Sequence, residues 1–130
     1  MSVGVEFPDL ELILGPYLRE HLASWSPLVD RRFPAPGWTP GYAVVIRDDS
    51  GPSAMVTATR SVGLTVIGSD YSQTRQLAER LAALIRALPD ALALPIAAAS
   101  VRGPYSLDAA SRVEFYLTAE LVVVGHSVTF

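Results

Sequence analysis

Residues 113–124 read VEFYLTAELVVV, in which apolar side chains alternate with polar or mixed ones. Successive side chains of a β-strand point to opposite faces of a sheet, so this alternation predicts a long strand with one buried face. Glu114 and Glu120 fall on the other face, where they are either exposed to solvent or part of the negatively charged lining of a ring. The predicted buried face is wholly apolar and consists of Val113, Phe115, Leu117, Ala119, Leu121 and Val123.

Two helices are predicted to supply the second layer of the fold. Asp70 is suited to cap a helix that ends at Pro89, and the residues between them repeat at helical spacing. Their apolar stripe consists of Leu77, Leu81, Leu84, Ile85 and Leu88. A second helix is predicted over 7–22, with Pro8 in its first turn. We expect it to kink or break at Gly15-Pro16, because proline lacks a backbone donor.

Short strands are predicted over 42–47, 54–59 and 64–67, joined by turns into an antiparallel meander. The turn at 48–52 is the strongest of these signals. A further short strand fits within 28–33, and 91–99 is either a loop or a strand entering at Ile96. A polar loop is expected after Pro104, and 126–130 is expected to fray or to dock on a neighbour. The sequence thus predicts an α+β fold, a mainly antiparallel sheet with two helices packed on one face, as a single domain over 1–130.

Composition narrows the classes of protein that fit. The chain has 130 residues, half of them hydrophobic and only 18% charged. No apolar run reaches the roughly 20 residues of a spanning helix, and no secretion signal opens the chain. The net charge of −3 lacks the basic excess of a nucleic-acid binder, and the absence of cysteine excludes disulfides and thiol nucleophiles. We therefore expect a soluble domain that associates with itself.

No catalytic, cofactor-binding or metal-binding residue is predicted. Phosphate-binding glycine loops and a serine nucleophile elbow are both missing. His21 and His126 lie far apart, without the spacing of metal ligands. The adjacent carboxylates Asp48 and Asp49 could hold a metal ion, but their position before Ser-Gly-Pro is more typical of a turn. Trp25 and Trp38 lie in an irregular, proline-rich stretch. Each either closes an edge of the core or anchors an interface.

The order of the elements and several short motifs resemble a known family. The motifs are Phe7-Pro8-Asp9, the run 64–69 leading into a helix, Arg102-Gly103-Pro104, and 112–125. Within the last segment an aromatic, Thr, a variable residue, Glu and Leu occur in the family's order, as Phe115, Tyr116, Thr118, Glu120 and Leu121. The chain resembles the tail terminator (tail-completion) proteins of long-tailed siphophages, especially those of actinobacterial hosts. It departs from them at Gly15-Pro16 and in the alanine-rich stretch before Ile96.

This resemblance implies a function without a catalyst or a cofactor. Family members form a hexameric ring that caps the finished tail tube, ends tube polymerisation and presents a surface for joining the head. The implied partners are other copies of the chain, the tail tube protein and a head–tail connector or stopper protein, with no sequence-specific nucleic acid and no membrane. The implied location is the head-proximal end of the virion tail, assembled in the host cytoplasm.

Charged and aromatic residues in loops are the candidate interface residues, because loops carry function on a rigid scaffold. The first candidates are Arg31, Arg32, Trp38, Asp48 and Asp49. The second set is Arg60, Tyr105, Asp108 and Arg112. Two alternatives stay open beside the tail terminator: another phage neck protein, such as a head–tail stopper or connector component, and a dimeric α+β domain that binds a small molecule. An enzyme is the least favoured class.

Overall fold

The strand predicted from the 113–124 alternation lies inside a sheet. A computed structural model describes residues 2–34, 41–107 and 112–130. In it, β6 (Val113–Val124) pairs with one strand on each side, and its residues from Phe115 to Val123 alternate between buried and partly or fully exposed. The buried members belong to the hydrophobic core, as the apolar pattern predicts.

The main sheet has five strands among the described residues, in the order β2-β3-β4-β6-β5. Only the short edge pair β2–β3 is parallel, and the other three pairs are antiparallel. The strands of this sheet are β2 (Leu28–Asp30), β3 (Ala43–Asp48), β4 (Thr57–Gly68), β5 (Ile96–Leu107) and β6.

Two helices cover one face of this sheet. Helix α1 (Leu10–His21) packs on β2 and β3, whereas α2 (Tyr71–Arg86) packs on β4, β5 and β6. A short 3₁₀ turn, Leu88–Asp90, follows α2. The core between the layers includes the predicted α2 stripe, of which Leu77, Leu81, Ile85 and Leu88 are fully buried. The predicted fold class, a mainly antiparallel α+β fold, is confirmed.

The predicted three-strand meander is wrong. One twelve-residue strand, β4, occupies 57–68, where two strands and a turn were predicted. It pairs with β6 along its whole length, from Thr57 opposite Val124 to Gly68 opposite Val113. The strand continues through Gly63. The Tyr116 side chain of β6 lies across this glycine, and a β-carbon there would be 2.8 Å from the Tyr116 hydroxyl. A long partner strand thus overrides a local turn signal.

The segment after Pro104 also differs from the prediction. Residues 105–107, expected in a polar loop, belong to β5, which continues to Leu107 beside β6. A register shift between Arg102 and Tyr105 accommodates the Gly103-Pro104 pair as a bulge. The alternative of a strand entering at Ile96 is confirmed.

Helix α1 runs unbroken from Leu10 to His21, so the expected break into two short pieces is wrong, and the alternative of a kink at Pro16 stays a prediction. Asp9 caps the helix by accepting from the backbone N–H of Glu11 at 2.9 Å, so Pro8 precedes the helix instead of lying in its first turn. Pro16 lies inside the helix and removes a hydrogen bond to the carbonyl of Leu12. Leu12 is 74% exposed, and water can reach this turn.

The chain ends form a second, two-stranded sheet that the sequence did not predict. Strand β1 (Val3–Glu6) pairs antiparallel with β7 (His126–Thr129). Residues 126–129 therefore pair with the start of the same chain instead of fraying, and docking on a neighbour stays a prediction. No helix among the described residues is long and apolar enough to cross a membrane.

Candidate interface surfaces

Two of the first candidates, Arg31 and Asp48, contact Glu11, a residue that sequence reasoning missed. Glu11, in the first turn of α1, faces Arg31 with 3.8 Å between its carboxylate and the guanidinium. The same carboxylate accepts the backbone N–H of Asp48 at 3.4 Å. Glu11 thus links the start of α1 to the segment after β2 and to the end of β3. Acidic first-turn residues are common in helices, so the sequence offered no signal for this role.

The predicted turn chemistry is present at Asp48, whereas Asp49 pairs with a neighbouring side chain. The Asp48 side chain accepts the backbone N–H of Ser50 at 2.8 Å, as a turn aspartate does. Asp49 accepts from Arg47 Nε at 2.8 Å, and this hydrogen bond, together with the attraction of the carboxylate, raises the pKa of Arg47 above its ordinary value. Both aspartates therefore have intramolecular partners.

The remaining candidates are spread over the molecule. Arg32 is exposed beside Arg31. Arg60 lies over the Phe7 ring, 5.6 Å from its centroid, and Tyr105 is 57% exposed on β5. Arg112 approaches Glu114 at 3.9 Å. Trp38 and Asp108 lie outside the described residues.

The sheet face opposite the helices is covered by neither α1 nor α2, yet its central residues Ala43, Val45, Thr65 and Ile67 are buried, and Phe33 lies beside Val45 and Thr65. Strand pairing aligns its residues in rows that run from one edge of the sheet to the other. The first row contains Leu28, Ala43, Ile67, Glu114 and Leu107. The second contains Asp30, Val45, Thr65, Tyr116 and Tyr105, and the third contains Arg47, Gly63, Thr118 and Arg102. We call this surface the open face.

The two edges of the sheet differ in length and in protection. At one edge, β2 has three residues, and its Val29 carbonyl accepts a hydrogen bond from Arg19 Nη2 at 2.9 Å. At the other edge, β5 has twelve residues and pairs only with β6 among the described strands. An exposed strand edge presents unpaired N–H and C=O groups to any further strand.

Exposed apolar side chains cluster at one end of the sheet, where β4 begins and β6 ends. The Val56 carbonyl accepts from Gly125 N–H at 2.9 Å, which brings the 49–56 loop to the base of the β1–β7 ribbon. The Pro95 carbonyl accepts from Val124 N–H at 2.8 Å, which brings the 91–95 segment to the same place. We call this surface the apolar end, and its members are Met55, which is 88% exposed, Leu92, which is 98% exposed, and Val56. Val3 and Phe130 are exposed at the far end of the β1–β7 ribbon.

Grooves on the described surface are shallow and open. One of about 660 Å³ runs along the outer side of α2 and is lined by Trp25, Tyr71, Arg75 and Arg80, among others. Trp25 is half-buried against the core, and Arg80 Cζ lies 5.6 Å from the centroid of its ring. Trp25 therefore packs at the edge of the core and also lines this groove. Within residues 2–34, 41–107 and 112–130, no group of three or more His, Cys, Asp or Glu is placed to hold a metal ion.

No protein-family model matches the sequence, and no curated protein matches it either.

Proposed function

We propose that this protein is a structural virion protein of the tail terminator class. Copies of it form a ring that caps the tail tube, ends tube polymerisation and provides the surface for head joining. The motif resemblance over 7–9, 64–69, 102–104 and 112–125 supports this proposal. The α+β architecture agrees with the fold that the resemblance implies.

One structural observation carries the proposal: exposed apolar side chains occupy both lateral edges and one end of the sheet. Leu28 is exposed at the β2 edge, and Tyr105 and Leu107 are exposed at the β5 edge. A cyclic ring needs two different lateral surfaces on each copy, because its contacts are heterologous. It also needs an axial surface for the tube or the neck, for which the apolar end is suited.

The experiment that tests this function has two stages. Negative-stain electron microscopy of the purified protein is expected to show six-fold rings with a central hole. Polymerising tail tube protein is then expected to stop at a shorter mean length when the rings are added, with tube protein alone as the control. Rings that leave tube length unchanged would contradict the terminator function, and a uniform dimer would favour the small-molecule-binding domain.

Deletion of the gene in a phage that carries it separates the terminator from its nearest rival. Loss of a terminator is expected to give overlong tails, because nothing ends polymerisation. Loss of a head–tail stopper or connector component would give tails of normal length that never join heads. The second phenotype would overturn the terminator proposal and favour the neck protein.

A further inference from the structure

The two edges of the sheet carry residues that match each other in position and in chemistry. Leu28 of β2 and Leu107 of β5 end the same row of the open face, and they are 45% and 43% exposed. Asp30 of β2 and Tyr105 of β5 end the next row. Arg102 lies in the row after that, on the same face. One edge thus offers a leucine and a carboxylate, and the other a leucine, a phenol and a guanidinium.

Strand direction allows these two edges to meet in neighbouring copies. Strand β5 runs antiparallel to β6, β6 to β4, and β4 to β3, so β5 is antiparallel to β3. Strand β2 is parallel to β3. When two copies lie side by side in the same orientation, β5 of the first therefore runs antiparallel to β2 of the second, with both open faces on the same side.

The charges of the two edges favour this contact. Arg102 is exposed on the β5 edge strand, and Asp30 is exposed on the β2 edge strand. Arg31, just after β2, is already engaged by Glu11. Arg102 facing Asp30 of a neighbour attracts, whereas β5 pairing with a second β5 would bring two copies of Arg102 to one contact.

We propose that the β5 edge of one copy docks antiparallel beside the β2 edge of a second copy. We call this contact the seam. Leu107 then packs on Leu28 of the neighbour, and Tyr105 faces Asp30 directly. Arg102 reaches Asp30 diagonally, over the roughly 7–8 Å that long side chains span between adjacent rows. Because the Arg19 guanidinium already binds the Val29 carbonyl, this seam depends on side-chain pairing more than on a long backbone ladder. The inference rests on the proposed ring and identifies its subunit contact.

Charge exchange tests the seam. Asp30→Arg and Arg102→Asp each place like charges across it, and each is expected to weaken self-association about tenfold or more. The double variant Asp30→Arg/Arg102→Asp restores opposite charges and is expected to assemble within a few-fold of the parent. An equimolar mixture of the two single variants is expected to assemble as well, because alternating copies satisfy every seam of an even-membered ring. Mass photometry and sedimentation velocity measure all four samples.

Circular dichroism melts are the folding control for these variants. Asp30 and Arg102 are exposed and form no ion pair with a described residue, so melting temperatures should match the parent. Single variants that assemble as the parent does, or a double variant no better than the singles, would overturn the seam.

Cysteine cross-linking provides a second measurement, helped by the absence of natural cysteine. The double variant Leu28→Cys/Leu107→Cys is expected to form a ladder of covalent multimers with a short bifunctional maleimide. Neither single variant should cross-link, and covalent dimers of Leu107→Cys alone would indicate β5–β5 pairing and overturn the proposal. Rings whose assembly does not respond to the charge exchanges would refute the seam alone. Rings that cross-link through Leu28→Cys/Leu107→Cys but fail to cap tubes would refute the terminator function alone.

Discussion

Gly68 shows at the residue scale how closely α2 approaches the sheet. A β-carbon at this position would overlap Thr74 Oγ1 and lie 3.1 Å from Tyr42 Cδ1. Thr74 is fully buried, and its hydroxyl donates to the Asp70 carbonyl at 2.6 Å. The glycine therefore lets the first turn of α2 pack directly on the end of β4. Gly15 in α1 is different, because the nearest atom to an added β-carbon is Arg19 Nη1 at 3.5 Å.

The two glycines are expected to respond to alanine in opposite directions. Gly68→Ala should lower the free energy of unfolding by roughly 1–3 kcal/mol, because Thr74 and the helix must shift. Gly15→Ala should raise it by about 0.5–1 kcal/mol, because alanine is the better helix former and meets no close atom. Chemical denaturation of both variants measures this difference. A Gly68→Ala variant as stable as the parent would mean that α2 does not pack against this position.

The β1–β7 ribbon is the most independent element of the fold. Its two strands pack on each other and on no other helix or strand, and they join the body near Gly125, close to Val5 and Phe7. The Phe130 ring covers Gly4, where a β-carbon would lie 2.7 Å from Cε2. An isolated pair of strands is marginal in water, so this aromatic cover is a main source of its order.

Phe130→Ala is expected to open the ribbon without affecting the core. Hydrogen exchange of the Gly4 and Val128 amides should become about tenfold faster or more, because local opening no longer loses the aromatic contact. Amides of β4 and β6 should exchange as in the parent and serve as the internal control. Equal acceleration of β4 amides would show instead that the ribbon and the sheet open together.

At the scale of the whole molecule, exposed opposite charges lie on the two edge strands of the main sheet, Asp30 on β2 and Arg102 on β5. The net charge of −3 does not show this pairing, because it sums over the whole chain. The core between the sheet and the helices is apolar apart from the buried Thr74. Thr65, the other buried polar side chain among the described residues, lies on the sheet face opposite the helices.

Self-association is therefore expected to weaken with salt, whereas folding is not. Between about 0.05 and 0.5 M sodium chloride the screening length falls from roughly 14 Å to 4 Å, which reduces attraction between exposed charges. Sedimentation velocity across this range should show progressive dissociation, and melting temperature should change little because the core is apolar. The double variant Asp30→Arg/Arg102→Asp should keep the same salt dependence. Assembly that strengthens with salt would indicate an apolar contact instead.

The local sequence determined the fold class, both helices and the buried face of β6. These follow from periodicity and capping, which act between residues a few positions apart: the 113–123 alternation places one face in the core, and Asp70 begins α2 by accepting the Gln73 N–H at 2.8 Å. Only the tertiary structure decided that β4 and β5 continue through their glycines and that the chain ends pair. Partners far away in the sequence settle those points, because a strand gains its hydrogen bonds from its neighbours. The same holds for Glu11 between Arg31 and Asp48, and for the match of Leu28 and Asp30 with Leu107 and Arg102, which arises only from register across five strands.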